Sequence, residues 1–169
     1  MTAGVAGLTP PAPLDATHDL TPFGSGEPSL DEWLRRHAWA NQGAGASRTF
    51  VLCRGQTVVG YYCLAAGAVA VAAAPGRIRR NMPDPIPMAV LGRLSVDRTL
   101  HRQGIGRALL RDAARRAMQA SQALAMRGLL VQALNEDAMR FYLACGFIPS
   151  PGEPRLLMAT MTDLASALG

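Results

Sequence analysis

The apolar positions of PSLDEWLRRHAWAN fall at Leu30, Trp33, Leu34, Ala38 and Trp39, a helical spacing that predicts a first helix over Pro28–Asn41 with Ser29 as its candidate cap. The pattern then changes to TFVLCRGQTVVGYYCLAAGAV, two β-rich runs parted by Arg54, Gly55 and Gln56, which predicts an antiparallel hairpin over Thr49–Val69. Val58–Ala74 carries no charge, yet it is shorter than the ~20 residues of a membrane helix and is largely alanine and glycine, so it reads as a buried strand running into a loop. Met88–Val96 is dense in branched residues and predicts a further strand.

From Gly104 onward, Ile105, Leu109, Leu110, Ala113, Ala114, Ala117 and Met118 form one face and Arg107, Arg111, Arg115 and Gln119 the other, predicting an amphipathic helix. Gly128–Leu134 predicts a short apolar strand. Asn135 then caps another helix, with Glu136 and Asp137 in its first turn and Gly146 as its stop. RLLMATM, after a Pro-rich turn, predicts a last strand.

Residues 1–20 read as a loosely structured lead-in. In PGRIRRNMPDPIP, Pro75, Pro83, Pro85 and Pro87 argue against regular helix, so this stretch reads as an exposed basic loop carrying Arg77, Arg79 and Arg80. The element order is an α+β plan with a central strand-helix-strand unit, and residues 1–169 are expected to form one domain.

Composition narrows the chemistry. The chain is 49% hydrophobic and 17% charged, which excludes a disordered protein. Its seventeen basic residues are all arginine, against twelve acids, so its net charge of +5 favours phosphates, nucleic acid or an acidic partner. Cys53, Cys63 and Cys145 are odd in number and widely spaced, which indicates neither a disulfide framework nor a metal site and fits a cytoplasmic protein. The N-terminal residues lack the basic and apolar regions of a secretory signal, and no membrane association is expected.

The candidate chemistry begins at Gln103, Gly104, Ile105 and Gly106, a Q-G-I-G placed where a helix starts. Backbone N–H groups there have no intrahelical partner and carry the positive end of the helix dipole, so two glycines let an anion such as a diphosphate approach the backbone. The stretch lacks the GK[ST] of a Walker A loop, and Leu109 stands where a dinucleotide fingerprint needs its third glycine.

Downstream of L-S-V-D and Q-G-I-G comes N-x-x-A-x-x-F-Y-x-x-x-G-F, from Asn135 through Phe141, Tyr142, Cys145 and Gly146 to Phe147. Here the sequence resembles the GNAT N-acetyltransferases over approximately Arg48–Met161. The resemblance implies a mixed, mostly antiparallel twisted sheet flanked by helices and splayed at an acetyl-CoA site. Leu94, Ser95 and Val96 would bind the pantetheine arm through exposed backbone groups, and Gln103, Gly104, Ile105, Gly106, Arg107 and Ala108 would hold the pyrophosphate. His101, Arg102, Asn135, Phe141 and Cys145 would complete the donor site, without a metal. His101 is a departure, because the family usually has Arg or Gln three residues before the first motif glycine.

GEPSLDEWLRRHAWANQGAGASRTFV, RIRRNMPDPIP and LGRLSVDRTLHRQGIGRALLRDA extend the match to Gly26–Met161 and make it similar to the TacT/AtaT-type toxins, GNAT proteins of type II toxin-antitoxin pairs. Their resemblance implies acetylation of the α-amino group of aminoacyl-tRNA, inhibition of translation, and a ribbon-helix-helix antitoxin whose complex with the toxin represses its operator DNA. It also implies a homodimer. Tyr142 would protonate the departing thiolate, and Arg77, Arg79, Arg80 and Arg93, extended by Arg48 and Arg36, would bind tRNA phosphates. Such a substrate suits a chain without a motif-placed catalytic carboxylate, since an α-amine titrates near ~7.7–8.0 against ~10.4 for lysine. Two other readings stay open at this point: a GNAT enzyme for a small amine or protein N-terminus, and a CoA-binding regulatory module.

Overall fold

Three prolines keep the chain's first described strand at a sheet edge. In the computed structural model, which describes residues 6–168, β1 (Leu8–Pro13) pairs antiparallel with β2 (Arg48–Arg54) and shifts register between Thr9 and Ala12, across Pro10 and Pro11. Proline donates no ladder hydrogen bond, so it is confined to edges and bulges. The expected loosely structured lead-in is therefore corrected over these residues.

β2 and β3 (Thr57–Val69) form the expected hairpin, with Arg54 opposite Thr57 and Gly55 at φ 63° in the two-residue turn. The uncharged Val58–Ala74 segment is this strand followed by a 3₁₀ turn at Val71–Ala73. Among the described residues no helix is long and apolar enough to cross a membrane.

The first helix departs from expectation in two ways. Glu27 occupies the cap without a side-chain bond, Pro28 takes the first helical position, and α1 runs Pro28–Trp33. Ser29 thus lies inside the first turn. The side-chain contact there comes from Asp31, which is buried and accepts from the Ser25 N–H at 3.1 Å and its Oγ at 2.6 Å. The backbone then widens into one π-helical stretch, Leu34–Ala38, before α2 (Trp39–Ala44). That stretch takes more residues per turn than an α-helix, so the buried phase passes through Leu34 and Ala38 while Trp39 turns outward at 52% exposure.

β4 (Ile86–Val96), α4 (Ile105–Ala120), β5 (Gly128–Gln132), α5 (Glu136–Ala144) and β7 (Glu153–Thr160) are the elements expected from the pattern. Three more were not expected: the one-turn α3 (Gly76–Arg79), the short β6 (Ile148–Ser150) and the closing α6 (Met161–Leu168). The seven strands follow the order β1-β2-β3-β4-β5-β7-β6. β4 and β5 pair in parallel through the α4 crossover, while β1–β2, β2–β3, β5–β7 and β6–β7 are antiparallel.

The chain divides into two compact units, Met1–Ala65 with Arg93–Asp112, and Ala66–Gly92 with Ala113–Gly169. In the first, Leu14, Phe23, Leu34, Ala38, Val51, Val58 and Tyr61 form a core on which Trp33 stacks, its ring 6.0 Å from that of Tyr61. In the second, Val69, Ala74, Ile78, Ile86, Met88 and Met158 form another.

A close backbone approach lies within the second unit, where a Cβ added at Gly128 would stand 1.8 Å from the Ala159 carbonyl oxygen. Gly128→Ala is therefore expected to destabilise the protein by about 3 kcal/mol or more, because only backbone can move aside. Equilibrium urea unfolding measures this, and a wild-type midpoint would refute it.

Candidate functional site

The turn from β4 into α4 is organised by one carboxylate. Asp97 Oδ1 accepts from the Thr99 N–H at 3.1 Å and its hydroxyl at 2.8 Å, and Oδ2 accepts from the Gly24 N–H at 3.0 Å. Burial alone would raise the Asp97 carboxyl, but the Gly24 and Thr99 donors, with Arg98 nearby, outweigh it and hold the group below its ordinary value. The backbone closes the same turn, with Asp97 N–H donating to Val59 and Arg98 N–H to Gly24. Leu100, 1% exposed, pins the turn to the core.

His101 has a partner within this turn. Its Nε2 lies 2.8 Å from the Val96 carbonyl oxygen, and since a carbonyl only accepts, that nitrogen carries the proton. The departure from the family pattern thus clasps the end of β4 to the start of the loop. Gln103 Nε2 donates to the Thr99 carbonyl at 3.4 Å.

Arg102 at φ 62° and Gly104 at φ 78° are both left-handed, a backbone that turns neighbouring N–H groups toward one concavity and suits an anion. Nothing lies within 4 Å of where a Gly104 Cβ would stand, so a side chain there would be strained and would fill the open space over the helix start. Ile105 and Leu109 are buried and fix α4, with Gly106, Arg107 and Ala108 in its first turn. Upstream, the β4–β5 register ends at Leu91 opposite Val131, and β4 continues past it through Arg93, Leu94, Ser95 and Val96. Ser95 is buried; Leu94 and Val96 are half-buried.

In the second unit, Asn135 Oδ1 accepts from the Ala138 N–H at 2.9 Å and so caps α5 as the sequence suggested. Tyr142 is 5% exposed, its ring held edge-on against Phe141 at 5.1 Å and tilted against Phe147 at 5.4 Å. Cys145 is buried at the helix end, where Phe147 N–H returns to the Tyr142 carbonyl and Gly146 takes φ 94°.

The arginines fall into two groups. Arg77 and Arg79 lie on α3 and Arg80 just after it, exposed, around Ile78, which is fully buried. This corrects the reading of PGRIRRNMPDPIP as helix-free, because Pro75 precedes the turn as its cap, where the ring's fixed φ is compatible with a helix start and the missing N–H removes no helix bond. Arg77 forms a bidentate pair with Asp163, Nε to Oδ2 at 2.5 Å and Nη2 to Oδ1 at 2.7 Å. Asp163 is held below the usual carboxylate range first by that hydrogen bond. Sequence reasoning missed both Asp163 and Arg127, whose Nε and Nη2 donate to the Ile78 and Arg77 carbonyls at 3.1 and 2.9 Å. Their partners are tens of residues away, and no local motif marks them.

In the first unit, the Arg93 guanidinium lies 4.5 Å over the Trp33 ring, and Arg48 donates to the Gln42 carbonyl at 2.7 Å. Arg36 is exposed on the π-helical stretch. Among the described residues no group of three His, Cys, Asp or Glu side chains is placed to hold a metal.

Residues 14–147 match the family model for the acetyltransferase (GNAT) family. The chain is 48% identical over 165 residues to a tRNA-acetylating toxin of Mycobacterium tuberculosis, covering 98% of this chain and 99% of that one. Among solved structures it is similar to AtaT complexed with acetyl-methionyl-tRNAfMet, at 34% identity and a TM-score of 0.88 over 96% of this chain and 99% of that one. It is also similar to a tyrosine-to-phenylalanine variant of AtaT bound to the C-terminus of the antitoxin AtaR and acetyl-CoA. That match has 34% identity and a TM-score of 0.81, over 94% of this chain and 96% of that one.

Asp97→Ala is expected to cost about 1–2 kcal/mol at neutral pH, through loss of the charge-assisted bonds from Gly24 and Thr99. Because folding lowers this pKa, the stabilisation is complete above the unfolded value of ~3.9 and is lost as pH falls through the folded one. Urea unfolding from pH 7 downward should therefore show the gap between wild type and variant constant to about pH 5 and closing below pH 4.

Proposed function

The chain belongs to the GNAT acetyltransferase family, and we propose that it is a toxin that moves acetyl from acetyl-CoA to the α-amino group of an aminoacyl-tRNA, blocking that tRNA's use in translation. The observation that carries this reading is the likeness, across 96% of the chain, to AtaT complexed with an acetylated methionyl-tRNA. The 48% identity to a tRNA-acetylating toxin over nearly the whole chain supports it.

The residues fit the donor. The left-handed Arg102 and Gly104 and the first turn of α4 offer a pyrophosphate backbone N–H groups and the positive end of a helix, with open space over Gly104. Beyond the β4–β5 register, the backbone of Leu94–Val96 takes the pantetheine arm, and a strand N–H polarises the thioester carbonyl. His101 shapes this loop through Val96 rather than by reaching a phosphate.

The chemistry asks little of a general base. An α-amine titrating near ~7.7–8.0 is substantially neutral at physiological pH. Its lone pair attacks the carbonyl carbon, the C–S bond breaks, and the sulfur takes the phenol proton of Tyr142. The proton released by the new amide nitrogen restores the phenol. Phe141 and Phe147 hold the ring in one orientation, which is what a proton donor of fixed direction requires.

Arg79 and Arg80 bind phosphates of the tRNA backbone without sequence preference. Arg93, 4.5 Å over the Trp33 ring, presents a guanidinium that is already held in place. The AtaT–AtaR complex supports an antitoxin as partner. We extend this to a ribbon-helix-helix antitoxin, to operator DNA reached only through the complex, to a homodimeric toxin and to action in the cytoplasm.

Labelled acetyl-CoA and purified charged tRNAs test the reading. Wild type should transfer label to at least one aminoacyl-tRNA, and Tyr142→Phe should lower kcat by about 10²-fold or more with little change in KM. Unchanged turnover would remove Tyr142 from its role, and absence of transfer to every charged tRNA would sink the substrate.

A further inference from the structure

A cleft of about 460 Å³ in the second unit is lined by Gly76, Arg77, Arg80, Arg127, Thr160, Thr162 and Asp163. Three arginines line it with one carboxylate, that of Asp163, so the cleft keeps an excess of positive charge, with two threonines beside them. That is more charge than one carboxylate balances. It suits a tetrahedral oxyanion, which takes bonds from several directions at once.

Asp163 shows where such an anion would sit. Its two oxygens meet Arg77 Nε and Nη2 in the paired geometry that a phosphate uses on a guanidinium. Thr160 Oγ1 accepts from the Asp163 N–H at 3.0 Å and fixes the carboxylate's residue at the start of α6. Arg127 has a separate task. Its guanidinium ties the Arg77 and Ile78 carbonyls together, holding the turn that presents Arg77 and Arg80.

We propose that this cleft is a subsite for one phosphodiester of the RNA substrate, positioned by Arg127 and held in check by Asp163, which occupies Arg77 until the phosphate displaces it. The proposal rests on the tRNA reading above and adds to it a built-in competitor. Any anion that enters must displace Asp163, so one held at this cleft alone binds weakly, while a substrate anchored elsewhere by many contacts displaces it as an intramolecular step.

The test is anisotropy binding of uncharged tRNA against salt concentration, with acetyl transfer to charged tRNA followed in parallel. Asp163→Asn should bind tRNA about fivefold tighter, the scale of one exposed ion pair removed as competitor. Arg127→Gln should bind about five- to tenfold weaker with a salt slope lower by about 1. Should Arg127→Gln melt below assay temperature, Arg80→Gln decides, since it leaves the bonds of Arg127 to the turn untouched. Wild-type affinity in the folded variants, with charged tRNA still acetylated, overturns the cleft and leaves the substrate standing. Neither binding nor transfer by wild type overturns both. Tighter binding of Asp163→Asn to poly-glutamate but not to tRNA also overturns the proposal and points to an acidic protein.

Discussion

The turn from β4 into α4 depends on how a chain can leave a strand and start a helix without covering the helix's first N–H groups. An ordinary side-chain cap would occupy the position an incoming anion needs. Here the stabilising carboxylate sits earlier, at Asp97, where it satisfies Thr99 and reaches across to Gly24. The turn is held from behind, by Asp97 and by the His101 clasp on Val96, and its front is left to backbone in the left-handed conformation. Stability and openness are thus assigned to different residues, and neither has to be sacrificed.

Elements with a sustained period were legible in the sequence. α4 repeats its apolar face over four turns, and Ile105, Leu109, Leu110, Ala113, Ala114 and Ala117 are all buried as that face requires. α5 carries a cap, acids and a stop glycine within its own span. What escaped was short or out of phase. α6 buries only Leu164 and Leu168, two residues one turn apart, which no periodicity can distinguish from chance. β1 carries prolines that read as loop unless one knows it lies at an edge. The π-helical stretch breaks the α period at Leu34–Ala38, so Trp39 looked like core and is surface.

The candidate site divides the same way. Q-G-I-G is a local motif whose meaning lies in its own backbone, and the sequence could announce it. The arginines are different, because their environments are made by residues far along the chain. Arg77 looked like one of three equivalent cations, yet Asp163, beyond β7, pairs with it across the turn. Arg93 was read as a free phosphate contact, yet it lies over Trp33 from the first helix. Nothing in the sequence near Arg127 signals that it supports the turn before β4.

The basic surface on and around α3 is made of guanidinium groups alone, and the chain contains no lysine anywhere in its 169 residues. In a protein that handles an activated thioester, this has a chemical consequence beyond charge. A lysine amine, once neutral, is itself an acceptor, and acetylation would erase its charge. A guanidinium is far more basic, stays protonated and is no nucleophile under the same conditions. A surface of this composition therefore has no side-chain amine to lose to an acetyl donor, and self-modification cannot gradually discharge it.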